Sequence, residues 1–163
     1  MIILGIDPGY AIVGYGVIEF KSNRFSVVDY GAITTNAGTP FERRLELIYD
    51  DLNLLMGKFH PEAMSIEKLF YNTNAKTVID VAQARGVTVL AAKKNNIPIF
   101  EYTPLQVKQG ICGYGRADKK QVQSMVKSLL NLKEIPKPDD AADALAIALG
   151  HLSTRRFSEM FRV

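Results

Sequence analysis

Three segments rich in β-branched and aromatic residues fill the first 34 positions, and they restrict this chain to folds that begin with a sheet. Residues 2–6 (IILGI) form a short apolar run that stops at Asp7-Pro8-Gly9, the pattern of a buried strand. Residues 12–20 (IVGYGVIEF) and 25–34 (FSVVDYGAIT) follow, with Ser22-Asn23 between them as a turn, so the three predict an antiparallel meander. The period then changes. Phe41, Leu45, Ile48, Leu52 and Leu55 recur at steps of four and three, one apolar stripe of a helix capped at Thr39-Pro40. A strand at 63–66 (AMSI) leads to Glu67, a long helix is expected over 74–95, and another strand over 97–101 (IPIFE). Helical patterns follow at about 104–109, 119–130 and 140–152, with a glycine-rich loop at 110–118. Three meandering strands followed by alternating helix and strand predict an α/β chain: a mixed five-stranded sheet with helices on both faces. One domain is expected over 1–152, with 153–163 (STRRFSEMFRV) as a flexible basic tail.

A length of 163 residues suffices to bury a core without staples, and the hydrophobic share (47%) and charged share (23%) are those of an ordinary globular domain. A single cysteine, Cys112, excludes an intramolecular disulfide and suits a reducing cytosol. No apolar run approaches the roughly 20 residues of a membrane span, and MIILGIDPG lacks the basic and cleavable regions of a secretory signal, so a cytoplasmic location is expected. The net charge of +3 is too small to argue for nucleic acid, but its distribution is informative. Lys108, Arg116, Lys119, Lys120, Lys127 and Lys133 share one stretch with a lone acid between 108 and 133, Asp118: a candidate phosphate-binding surface.

Four acids suggest the chemistry. Asp7 and Glu67 end the first and fourth strands, and sites in open α/β sheets gather at the carboxyl ends of strands. Asp140 and Asp143 open an apolar helix (DDAADALAIAL) at a spacing that puts both on one face. Converging carboxylates repel, and one would protonate unless a cation intervened. Mg²⁺ prefers hard oxygen ligands, and two such ions about 3.5–4 Å apart can activate a water and stabilise the leaving oxygen of a phosphodiester. With His60 and His151 the only histidines, a zinc site is not expected. Each acid also has an ordinary reading: Asp7 as a turn residue, Glu67 as a strand-end surface acid, Asp139 or Asp140 as a helix N-cap, the cap falling to Asp139. Asp143 is hardest to dismiss, because an acid amid alanines and aliphatics is costly without a partner.

Four ordered motifs, GIDPGYAIVGYGVI at 5–18, IEKLFYNTNAKTVIDVAQARGV at 66–87, FEYTPLQVKQGICGYGRADKKQV at 100–122 and DDAADALAIALGH at 139–151, resemble the RuvC family of Holliday junction resolvases over about residues 2–152. The resemblance implies a ribonuclease H-like fold, a homodimer, and Mg²⁺-dependent nicking of two strands of four-way junction DNA, with two ions per subunit and Mn²⁺ able to substitute. It also implies a RuvA–RuvB branch-migration complex as partner. The family's catalytic, metal-holding acids fall on Asp7, Glu67, Asp140 and Asp143, and its junction-wedge aromatic on Phe70. An aromatic beside the metals can stack on a base for about 1–3 kcal/mol; Tyr71 could take that role instead, or Phe70 could belong to the core. The phosphate-contacting lysines fall on Lys108 and Lys119, with Arg116 and Lys120 close enough to share the work. The rivals are a nuclease of the same fold acting on RNA, a non-catalytic junction-binding module, and an actin-like phosphotransferase, for which this length leaves little room.

Overall fold

The computed structural model describes residues 1–69, 77–154 and 161–163. Among them the element order is β1 (Ile2–Asp7), β2 (Ile12–Lys21), β3 (Arg24–Thr34), α1 (Phe41–Phe59), β4 (Ala63–Glu67), α2 (Val78–Lys94), β5 (Ile99–Tyr102), α3 (Pro104–Cys112), α4 (Lys119–Leu129) and α5 (Asp139–Ser153). The five strands lie in the order β3-β2-β1-β4-β5. β1 pairs antiparallel with β2 and parallel with β4, and β4 pairs parallel with β5, so the expected mixed sheet forms. Ser22 and Asn23 both take positive φ (50° and 61°), the geometry of a tight hairpin turn matched to strand twist.

β1 is central and covered on both faces, which is why its sequence is a continuous apolar run rather than an alternation. Leu4 and Ile6 face a core with Ile48, Leu52 and Met56 of α1 and Ala84 and Ala91 of α2. Ile3 faces the other core, with Val107 of α3, Val122 and Val126 of α4, and Leu145 and Leu149 of α5. α5 lies across β1, β2 and β4, and every residue from Ala141 to Leu152 is buried except Asp143, which is half-buried. His151 is buried, with Nδ1 2.7 Å from the Tyr102 hydroxyl, while His60 ends α1 in the left-handed region on the surface. No helix among the described residues is long and apolar enough to cross a membrane.

Several boundaries differ from those expected. α3 continues to Cys112 and stops where Gly113 adopts φ 81°, so the glycine-rich loop shortens to 113–118. A capping box between Thr103 and Gln106 fixes its start. Pro98 delays β5 to Ile99, and α2 is described from Val78, the preceding positions of the expected 74–95 helix lying largely outside the described residues. Pro40 itself is the N-cap of α1, without a side-chain bond. Residues 161–163, the described part of the segment expected as a tail beyond Thr154, lie against β5. Arg162 bridges antiparallel to Phe100, the Val163 N–H donates to the Ile99 carbonyl at 2.9 Å, and Phe161 packs on Tyr102 with ring centroids 4.9 Å apart. An edge strand with unpaired backbone groups and an aromatic ring with somewhere to bury explain the docking.

Candidate active site

β1 and β4 run parallel in the register Ile6 with Ile66, so Asp7 and Glu67 emerge side by side at the carboxyl edge of the sheet. Asp7 also pairs with Gly14 of β2. A β-carbon on Gly14 would run into the Asp140 carbonyl group and come within 2.9 Å of the Asp140 Cβ. The bare glycine backbone therefore lets the first turn of α5 sit directly on β2, next to Asp7. Gly16 takes Leu145 and Gly5 takes Ala148 in the same way, so the helix lies flat along the strands. Asp143, one turn on from Asp140, points back towards Glu67 and lines the same cleft.

That cleft, of about 250 Å³, is bounded by Glu67, Asp143, Lys108 and Lys119 on a floor of Val107, Val122, Ala146 and Ile147. Its carboxylates feel one another. Burial, then the charges of Glu67, Asp143 and Asp140, push the Asp7 carboxyl up to about 8, and Lys119 only partly opposes them. Burial and the Asp143 charge raise Glu67, with Lys108 pulling the other way. Asp143 is raised by burial, against the attraction of Lys119. Lys119 Nζ stands 3.1 Å from Asp139 Oδ2 and 3.4 Å from Asp143 Oδ2. Partial burial would lower its pKa, but the bonds and charges of Asp139 and Asp143 outweigh that and raise it.

The four anticipated acids thus meet at one edge, and Lys108 and Lys119 meet them there. Lys120 instead lines a neighbouring groove with Tyr114, Gln121 and Ser124, and Arg116 is exposed on the loop between α3 and α4. Phe70 and Tyr71 lie outside the described residues. Asp139 does not cap α5: Pro138 holds that position, and the Asp139 side chain binds Lys119 and accepts a 3.4 Å hydrogen bond from Gln123 Nε2. Among the described residues no three acidic, histidine or cysteine side chains already stand so as to hold an ion. The donor set nonetheless suits a hard divalent cation: carboxylate oxygens only, one of them on half-buried Asp7, where three further acids disfavour its ionised form.

Two supports were not anticipated. Buried Arg44 of α1 donates from Nε to Thr35 Oγ1 at 2.8 Å and stacks 3.6 Å over the Tyr10 ring, while the Thr35 hydroxyl donates to the Tyr10 carbonyl at 2.8 Å. This clamp fixes the loop that follows Asp7. The strand glycines are the other support, and their signal was present: glycine inside a strand often marks close backbone approach.

The family described as crossover junction endodeoxyribonuclease RuvC matches residues 3–151. A relative of that name from Alkaliphilus oremlandii is 58% identical over 163 residues, covering 100% of this chain and 99% of the relative. A structure of Thermus thermophilus RuvC superimposes with a TM-score of 0.90 at 34% identity, covering 99% of this chain and 98% of that one. The T. thermophilus protein in complex with Holliday junction substrate gives a TM-score of 0.91 at 30% identity, over 100% of both chains.

Proposed function

The chain belongs to the RuvC family of crossover junction endodeoxyribonucleases, and from that premise we propose that it resolves four-way DNA junctions by paired hydrolysis of two phosphodiesters at a carboxylate site that uses Mg²⁺. The observation that carries this reading is the Asp7 carboxyl, ending β1 in the company of Glu67, Asp140 and Asp143, with two lysines in the adjoining cleft.

The family implies a divalent cation. Asp7, Glu67, Asp140 and Asp143 would hold it, and two Mg²⁺ ions per subunit, replaceable by Mn²⁺, suit this number of oxygen donors. Held there, the ions would polarise a phosphoryl oxygen, activate a water and stabilise the leaving oxygen. The protein's own part is positioning. Asp7 and Glu67 are fixed by the sheet, Asp140 by its contact with Gly14, and Lys108 and Lys119 offer ammonium groups to phosphates flanking the scissile one. The apolar floor of the cleft limits water around these charges and strengthens their field.

A four-way junction opened out is nearly two-fold symmetric, and one chain supplies one carboxylate cluster, so paired cutting calls for a homodimer. Ile79, Ala82, Gly86 and Leu90 form an exposed stripe along α2. A β-carbon at Gly86 would meet nothing within 4 Å, which leaves room for a partner backbone. The RuvA–RuvB complex would present the junction, and the DNA substrate places the work in the bacterial cytoplasm.

The test is cleavage of labelled junction, linear duplex and single-stranded RNA with and without Mg²⁺. Symmetric nicks in the junction alone, dependent on Mg²⁺, are expected. Cutting of RNA would favour the ribonuclease reading, and binding without cutting a recognition module.

A further inference from the structure

Lys119 occupies an unusual place for a DNA-contacting lysine. It is the first residue of α4, set by the Asp118–Gln121 capping box, and its ammonium lies between two carboxylates of the next helix. Asp139, the outer one, is gripped by α4 twice, through Lys119 and through Gln123 one turn further on. Asp143, the inner one, is the sole half-buried position in an otherwise buried stretch of α5 and faces the cleft. So the charge that would repel a divalent cation is tethered to an acid proposed to bind that cation, and an exposed acid outside the proposed ligand set helps to hold it there.

We propose that Lys119 is an internal counter-ion, positioned by Asp139, which occupies Asp143 in the DNA-free protein and passes to a phosphate when DNA binds, so that DNA and the divalent cation load cooperatively. The proposal rests on the metal-site assignment above and adds a coupling to it. A unit charge a few ångströms from a bound cation weakens binding unless it moves, and a phosphate is the anion that DNA brings. Because coupling between two ligands is reciprocal, the same exchange makes the cation tighten junction binding. A DNA-free enzyme is thereby kept poorly loaded.

The experiment measures Mn²⁺ binding to the DNA-free protein by the loss of free-ion paramagnetic resonance, for the unmodified chain, Lys119→Gln, Lys119→Arg and Asp7→Asn. Lys119 is exposed at a helix start, so neither substitution at that position should disturb folding; circular dichroism verifies it. Lys119→Gln is expected to bind Mn²⁺ roughly fivefold or more tightly, with Lys119→Arg within about twofold of the unmodified chain because the charge persists. A second arm measures, with Ca²⁺, the factor by which junction DNA tightens cation binding; that factor should shrink in Lys119→Gln. Unchanged or weaker Mn²⁺ binding in Lys119→Gln, equal tightening in Lys119→Arg, or an undiminished coupling factor each overturns the counter-ion exchange while the metal site stands. Mn²⁺ binding that Asp7→Asn leaves intact, or no binding in any form, overturns the metal-site assignment and the exchange with it.

Discussion

Gly14 and Asp140 touch so closely that a β-carbon on the glycine would come within 2.9 Å of the aspartate Cβ and collide with its carbonyl group. Asp7 pairs with that same glycine, so one missing side chain brings two of the four acids together. Gly14→Ala is therefore expected to push the start of α5 outward. Overpacking of this kind costs about 1–3 kcal/mol, so the melting temperature should fall by several degrees, while Mg²⁺-dependent cutting falls much further than junction binding in EDTA. Wild-type cleavage in Gly14→Ala would show that the Asp140 placement tolerates the shift.

Replacing Asp7, Asp140 or Asp143 by Asn, or Glu67 by Gln, keeps shape and removes the charge that holds a cation. Cleavage should drop by at least about two orders of magnitude, since a metal's transition-state stabilisation is worth several kcal/mol. Affinity for the junction in EDTA should persist, because it rests on basic residues. Gel shift and a cleavage time course measure the two separately, and near-normal cutting by any variant would remove that residue from the site.

The Asp7 carboxyl gives a pH signature in the metal-free protein. Its pKa is about 8 in the fold against 3.8 for the ordinary group, so the native state binds the extra proton between those values. Stability should consequently fall as pH rises from about 4 to about 8, the slope having the sign of native-state proton binding. Asp7→Asn should flatten that slope and melt higher than the parent at pH 8. Cation uptake displaces the proton, so Mg²⁺ affinity should climb over the same upper range, with proton release visible by calorimetry in two buffers. A stability that rises through this window would contradict the burial of an acid among acids.

The architecture was legible because its signals are local. The apolar run of β1, the Ser22-Asn23 turn and the α1 stripe each declare their own structure, and strand ends next to acids point to a site. What escaped was tertiary. Nothing near Asp139 in sequence says that Lys119, 20 positions away, will claim its side chain before the helix end can use it as a cap. Arg44 reads as a surface helix residue until Thr35 and Tyr10 close over it. Phe161 reads as a tail residue until the Tyr102 ring receives it, next to the β5 edge that pairs with Arg162.

Neutralising Lys108 or Lys119 should weaken binding to all junction sequences alike, because both line the cleft as ammonium groups suited to phosphate rather than to base edges. Each substitution should reduce the steepness of log affinity against log salt by roughly one. Fluorescence anisotropy over a salt series, with junctions of two different core sequences, checks this. A loss confined to one sequence would mean that the residue reads bases.

The dimer carries the last expectation. Ile79 is 65% exposed and Leu90 53% exposed, one on each side of Gly86 on the same face of α2. Exposed Ile79 and Leu90, with small Ala82 and Gly86 between them, make an apolar face that isologous contact of two such helices would bury about a two-fold axis. Leu90→Asp places a charge in that contact without touching the core, so it should preserve melting behaviour while weakening self-association at least tenfold, on the order expected for a central interface residue. Sedimentation at micromolar concentration reads the association. Junction cutting supplies a second measure: a monomer carries one carboxylate cluster, so Leu90→Asp should release singly nicked junctions, as should mixtures of active subunits with Asp7→Asn subunits. A monomeric Leu90→Asp protein that still made both nicks in one binding event would overturn the two-fold arrangement.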